Sequence, residues 1–168
     1  KEFMERVKYK IEITPQRALD KLQTLCSRAE KSSADAVRLM QKWGITDEKI
    51  GEILSRLISE KYIDDRRFTA AYVRDKAKFS TWGARKIADT LIMRGIDRDM
   101  VREVIAEQVS VQDLKEKLEL ALRKKYEEVQ RKEDNPYKIK DKLFRHAISR
   151  GYSYDDIMLV IDKIIVVG

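Results

Sequence analysis

The stretch Arg94-Gly95-Ile96-Asp97-Arg98-Asp99-Met100-Val101-Arg102-Glu103-Val104-Ile105 decides the fold. Its glycine follows one amphipathic pattern, and an aspartate two residues later opens another. Glycine at a helix C′ position takes left-handed φ without the Cβ penalty that other residues meet there. Aspartate, serine and threonine are good N-caps because a side-chain oxygen accepts from a free N–H of the first turn. The twelve residues therefore read as the end of one helix and the start of the next.

Working outward, the same grammar recurs around Gly44 and Gly151, which lie 51 residues before and 56 after Gly95. Thr46 and Ser153 stand where Asp97 stands. Fixed offsets after each glycine hold Ile50, Ile53, Leu54, Leu57 and Ile58, then Val101, Val104, Ile105, Gln108 and Val109, then Ile157, Val160, Ile161, Ile164 and Ile165. Fourteen of these fifteen positions are aliphatic, in a chain that is 43% hydrophobic, so the register is a repeat rather than generic amphipathicity. Before each glycine, Val37 and Met40, Ala88 and Leu91, and Phe144 and Ala147 are also in register. Capping accounts for the acidic pairs Asp97/Asp99 and Asp155/Asp156, because carboxylates in a first turn complement the helix dipole.

A further helix precedes each glycine-ended one. Thr14-Pro15 opens the first, with Ala18, Leu19, Leu22, Leu25 and Cys26 on one face. Asp64 or Asp65 opens the second, with Phe68, Ala71 and Tyr72 expected inward. The third runs from about Val111 to Arg131 with Leu114, Leu118, Leu122 and Val129 in a stripe, and Asn135-Pro136 starts the helix that leads to Gly151. The expected architecture is all-α: three tandem three-helix repeats at 14–62, 63–108 and 109–168, forming an elongated, curved array. A unit of about 50 residues buries too little surface to stand alone, so neighbours are expected to share apolar surface. Residues 1–13 read as an N-terminal arm, since Val7, Tyr9, Ile11 and Ile13 alternate with polar residues; residues 1–3 read as an addition ahead of Met4.

Composition bounds the chemistry. In 168 residues there are six Gly and two Pro, too few for a turn-rich β-sandwich, while 39% are charged. One cysteine, Cys26, excludes an internal disulfide framework, and one histidine, His146, leaves no Cys/His zinc set. Cys26 reads as a small core residue and His146 as a partly buried structural one. No phosphate loop, nucleophile elbow or H-E-x-x-H helix occurs, so neither enzyme activity nor a cofactor or metal is expected. No apolar stretch reaches membrane-span length, and the expectation is a soluble, cytoplasmic protein, monomeric for want of a long heptad seam.

Lys and Arg total 36 against 29 Asp and Glu, a net charge of +7. The excess is local. Arg66, Arg67, Arg74, Lys76, Lys78, Arg85, Lys86 and Arg94 face only Asp75 and Asp89, with Phe79 and Trp82 among them as stacking or insertion surfaces. A second basic stretch runs from Arg123 to Arg150 and begins Arg123-Lys124-Lys125. These residues, Trp82 included, are the candidate contacts for a polyanionic or acidic partner. The helices after Gly44 and Gly151 carry Asp47, Glu48, Glu52, Glu60, Asp155, Asp156 and Asp162, which argues against a groove-reading helix-turn-helix. Any nucleic-acid contact is expected to be to the backbone and salt-sensitive.

Several stretches resemble RecX proteins. They are Ala18-Leu19, Cys26-Ser27-Arg28-Ala29-Glu30-Lys31, Lys42-Trp43-Gly44, Lys61-Tyr62-Ile63-Asp64-Asp65-Arg66-Arg67-Phe68, Asp75 through Ile87, and Arg94-Gly95-Ile96. The likeness is fullest over residues 15–108 and continues more weakly through Lys142-Leu143-Phe144 and Ser149-Arg150-Gly151-Tyr152. Trp43 and Trp82 before their glycines, with Cys26, look like a Bacteroidetes-type variant. The resemblance implies a non-enzymatic regulator that binds the groove of the RecA–single-stranded-DNA filament and limits its growth, ATP hydrolysis and strand exchange. A sequence-independent nucleic-acid-binding module and a scaffold for an acidic protein are the alternatives that the residues alone leave open.

Overall fold

The computed structural model describes residues 13–165, so the alternating arm, apart from Ile13, lies outside the described residues. Among those residues there are nine helices and no strand: α1 Pro15–Arg28, α2 Ser33–Lys42, α3 Asp47–Ser59, α4 Asp65–Phe79, α5 Ala84–Met93, α6 Arg98–Gln108, α7 Val111–Gln130, α8 Pro136–Ser149 and α9 Tyr154–Ile164. The chain divides into two compact units, residues 1–68 and 69–168.

Caps set the helix ends as the residue types require. Thr14, Thr46, Asp97 and Ser153 each accept the backbone N–H three residues on, and Ser32 forms a reciprocal capping box with Asp35. Gly44, Gly95 and Gly151 have φ of 77°, 95° and 88°. Each turn makes the same pair of bonds. The glycine N–H goes to the carbonyl three back (Gln41, Ile92, Ile148), and the next N–H to the carbonyl five back (Met40, Leu91, Ala147). This is the Schellman pattern, and its hydrophobic clasp is present: Ile45, Ile96 and Tyr152 are buried against that helix end. An apolar residue directly after each glycine was thus a further repeat signal in the sequence. The end of α3 repeats the motif with Lys61, a non-glycine at φ 63°, in the C′ position.

In the first unit α1 and α2 pack on α3, burying Ala18, Leu19, Leu22, Met40, Ile50, Ile53 and Leu57. In the second, α5 packs on α6, while α7, α8 and α9 enclose Leu118, Leu122, Leu143, Ile157 and Ile161. The repeat offsets separate here. The first two positions after each glycine are buried in all three helices, whereas Ile58 at the last offset is largely exposed. On α4 the fully buried line is Thr69 and Val73 beside Phe68, rather than Ala71 and Tyr72, which are half-buried. Tyr72 is drawn to the rim, where cations occupy its ring.

Candidate interaction surface

In the second unit, residues from α4, the following loop and α5 form an alternating run of cations and aromatic rings. The Arg94 guanidinium lies 5.5 Å from the Tyr72 ring centre, and the Lys76 ammonium 5.5 Å from the same ring. Lys76 also sits 4.8 Å from the Trp82 ring, which Lys86 approaches at 4.7 Å. Lys86 donates to the Ser149 carbonyl at the end of α8. Helical spacing places Tyr72 and Lys76 on one face of α4, and the short loop returns Trp82 beside them. Each contact contributes roughly 0.5–1 kcal/mol at such exposure. Trp82 is therefore half-buried with two ammoniums over its ring, not an open stacking surface. Phe79, with Lys78 at 5.2 Å, is the exposed aromatic.

Beneath this run lies a joint made of backbone. The Gly83 N–H donates to the Arg150 carbonyl at 2.7 Å and the Arg85 N–H to the Gly151 carbonyl at 3.1 Å. The first turn of α5 has neither a side-chain cap nor an acidic residue, so the α8–α9 turn supplies an acceptor instead. The approach is too close for side chains: a Cβ on Gly83 would lie 2.6 Å from the Gly151 oxygen, and one on Gly151 2.3 Å from the Lys86 nitrogen. Tyr152 closes the joint by donating to the Thr81 carbonyl, and its burial pushes the phenol up to about 12. Lys117 on α7 donates to the Ala77 and Trp82 carbonyls, and burial holds its ammonium below the usual lysine range. Sequence reasoning gave Gly83 no structural role, because its partner is remote in the chain.

The remaining candidate residues divide by how fully they are engaged. Arg74 reaches only the neutral Gln108, at 3.4 Å, and Lys78 and the Arg85 side chain are exposed. On α7, Arg123 pairs with Glu119 and Lys125 with Glu128, while Lys124 is exposed. In the first unit Arg66 is exposed. Arg67 is spent on the fold: it pairs with Glu30 at 2.7 Å and donates to the Lys61 and Tyr62 carbonyls in the left-handed turn. Its hydrogen bond to Glu30 raises the guanidinium further above its usual range. Cys26 is half-buried, its thiol pushed up first by burial and then by Glu30. His146 is half-buried and held below the usual histidine range by burial, then by Arg150 and Lys125. No group of His, Cys, Asp or Glu among the described residues could hold a metal, and no described helix is long and apolar enough to cross a membrane.

Comparison with known proteins gives this surface its context. The family model for the second three-helix domain of RecX matches residues 64–105, and that for the third matches residues 113–161, together more than half of the chain. The chain belongs to the RecX family. The region beyond residue 108, where the resemblance in sequence is weaker, is thus matched by its own RecX domain. Regulatory protein RecX of Clostridium botulinum strain Eklund 17B is 29% identical over 138 residues, covering 82% of this chain and 62% of that protein. Its counterpart in Bacillus licheniformis is 31% identical over 135 residues, covering 79% and 49%. The chain therefore spans about half to three-fifths of the length of these RecX relatives. The crystal structure of RecX from Lactobacillus salivarius superposes with a TM-score of 0.81 at 20% identity, covering 91% of this chain and 97% of that one, which establishes a shared fold. These relatives are named as regulatory proteins rather than enzymes.

Proposed function

We propose that this RecX protein regulates the RecA recombinase without being an enzyme. It binds as a monomer in the groove of the RecA–single-stranded-DNA filament, limiting filament growth, ATP hydrolysis and strand exchange. In this reading the three-helix groups at 14–62, 63–108 and 109–168 present successive contact modules, and the protein works in the cytoplasm beside its partner.

One observation carries the assignment of the contact face. The exposed cations Arg74, Lys78 and Arg85, with the half-buried Lys76 and Lys86, gather on α4 and α5, whereas α3 and α9 expose Asp47, Glu48, Glu52, Asp155 and Asp162. Exposed charge of one sign steers encounter and sets register with an oppositely charged surface, and salt screens it. Arg66 and the α7 residues Arg123, Lys124 and Lys125 are secondary contacts in this reading, and any DNA contact is to phosphates. The test is steady-state ATP hydrolysis by RecA on single-stranded DNA with the protein titrated in. Substoichiometric inhibition that fades with added salt is expected. Hydrolysis that stays unchanged, together with tight binding to bare DNA, would replace this reading with a general nucleic-acid-binding module.

A further inference from the structure

A cavity of about 380 Å³ opens between the last turns of α4 and the α6–α7 connection. Its apolar walls come from Ala77, Val109 and Leu114, and three cations, Arg74, Lys78 and Lys117, border it. Asp113 is the one acid among the lining residues. Phe79 at the end of α4 and Val111 at the start of α7, the chain neighbours of the lining residues Lys78 and Ser110, are 75% and 68% exposed, so large apolar side chains adjoin the lining in sequence on both sides. None of the three cations is ion-paired in the described structure. Arg74 meets only the Gln108 amide oxygen, Lys78 lies over the Phe79 ring, and Lys117 donates to two carbonyls. An ammonium has three N–H donors, so Lys117 retains one beyond those two bonds.

The geometry points to this cavity as the seat of a short acidic–apolar peptide segment of a protein partner; taking that partner to be the recombinase rests on the function proposed above. An apolar side chain of the segment enters between Ala77, Val109 and Leu114, and its flanking carboxylates face Arg74 and Lys78. Small concave sites with apolar walls and a few convergent polar groups bind in this way. Charge complementarity selects the occupant. Three cations to one acid favour an anionic ligand, but the Asp113 carboxylate inside the site opposes a dianionic phosphate. A peptide can offer it a backbone N–H. Trp82 already carries two ammoniums over its ring, which leaves Phe79 as the single open ring among the described residues near the site and disfavours base stacking as the main source of affinity.

The test uses the full chain labelled with nitrogen-15 and a short synthetic peptide alternating Asp or Glu with Leu. Controls are its Asn/Gln counterpart and an oligothymidylate. Amide shifts at Gln108, Val109, Ser110 and Leu114 are expected with the acidic peptide. Binding should weaken roughly tenfold in Arg74→Gln/Lys78→Gln and further in Arg74→Glu/Lys78→Glu, as for reversed charges at an interface rim. Because both side chains are exposed, unchanged thermal melts should accompany these losses. Peptide binding that ignores the substitutions, or shifts at these amides with the oligothymidylate only, would overturn the proposal. RecA ATP hydrolysis separates this from the broader reading: if the Glu variant inhibits as well as the parent, the cavity proposal fails and the regulator stands. If the parent itself does not inhibit, the regulator fails, while peptide shifts at the cavity would still stand as binding.

Discussion

Two places where helices meet are held together in opposite ways. Around Arg67, in the first unit, the end of α3, the start of α4 and the segment after α1 are gathered by one guanidinium, whose side chain is 43% exposed. Around Gly83 and Gly151, in the second unit, the start of α5 is held against the α8–α9 turn by backbone bonds, with no room for a Cβ on either glycine. The first arrangement depends on a charge that water and salt can reach; the second depends on shape. The difference also explains what is left over. Where Arg67 works for the fold its charge is already paired with Glu30, whereas a backbone joint leaves Arg74, Lys78 and Arg85 available for a partner.

Five substitutions or titrations can break or sharpen this contrast, beginning with the largest effect and ending with the smallest. Gly151→Ala forces a Cβ onto the Lys86 backbone at a residue with left-handed φ. Combined strain and overpacking should cost about 3 kcal/mol in urea unfolding, and this loss should not change with salt. Gly44→Ala, which tests the left-handed turn in the first unit, should cost only about 1 kcal/mol. Arg67→Ala should cost about 1–2 kcal/mol, discounted for its exposure, because it strips partners from Glu30 and from two turn carbonyls. That penalty should shrink in high salt, which would confirm a joint made by charge. A salt-independent Arg67 penalty would erase the contrast.

Tyr152→Phe removes the hydroxyl that closes the backbone joint and should cost about 1 kcal/mol by the same measurement. The phenol titrates near 10 when unfolded and is raised to about 12 in the fold, so the neutral form is the one the fold favours. Its contribution is fully present below pH 10 and is lost as pH rises from 10 through 12. Parent and Tyr152→Phe melts should therefore converge in alkali. The smallest effect concerns His146, whose folded value lies below its unfolded 6.5. Its stabilising share is complete above pH 6.5 and is lost as pH falls through the folded value. A proton NMR titration should place the His146 midpoint below 6.5, and a midpoint above it would mean that the ring pairs with an acid instead.

Most of the helical grammar is local, and for that reason it was legible. A capping side chain acts over three residues, and a C′ glycine acts within its own turn, so Thr46, Asp97, Ser153 and the three glycines could be placed from sequence. Thr69 was missed because a buried threonine carries no apolar signal, and Tyr72 misled because an aromatic ring satisfies a rim of cations as readily as a core. Gly83 was illegible for a different reason: its constraint is the Gly151 carbonyl, brought close only by tertiary folding. The same holds for the charged surface. Density of Arg and Lys located the basic region, but nothing in the order of residues distinguished Arg67, held by Glu30 and two carbonyls, from Arg74, held by one neutral amide.

The central claim is that cations of the second unit, rather than Arg67, carry the regulatory contact. RecA ATP hydrolysis on single-stranded DNA, measured at matched concentrations of Arg67→Ala and of Arg74→Gln/Arg85→Gln/Lys86→Gln, tests it most directly. The account predicts near-parental inhibition by folded Arg67→Ala and inhibition weakened by at least roughly tenfold in the triple variant. Full inhibition by the triple variant, or its loss in a folded Arg67→Ala alone, would contradict it.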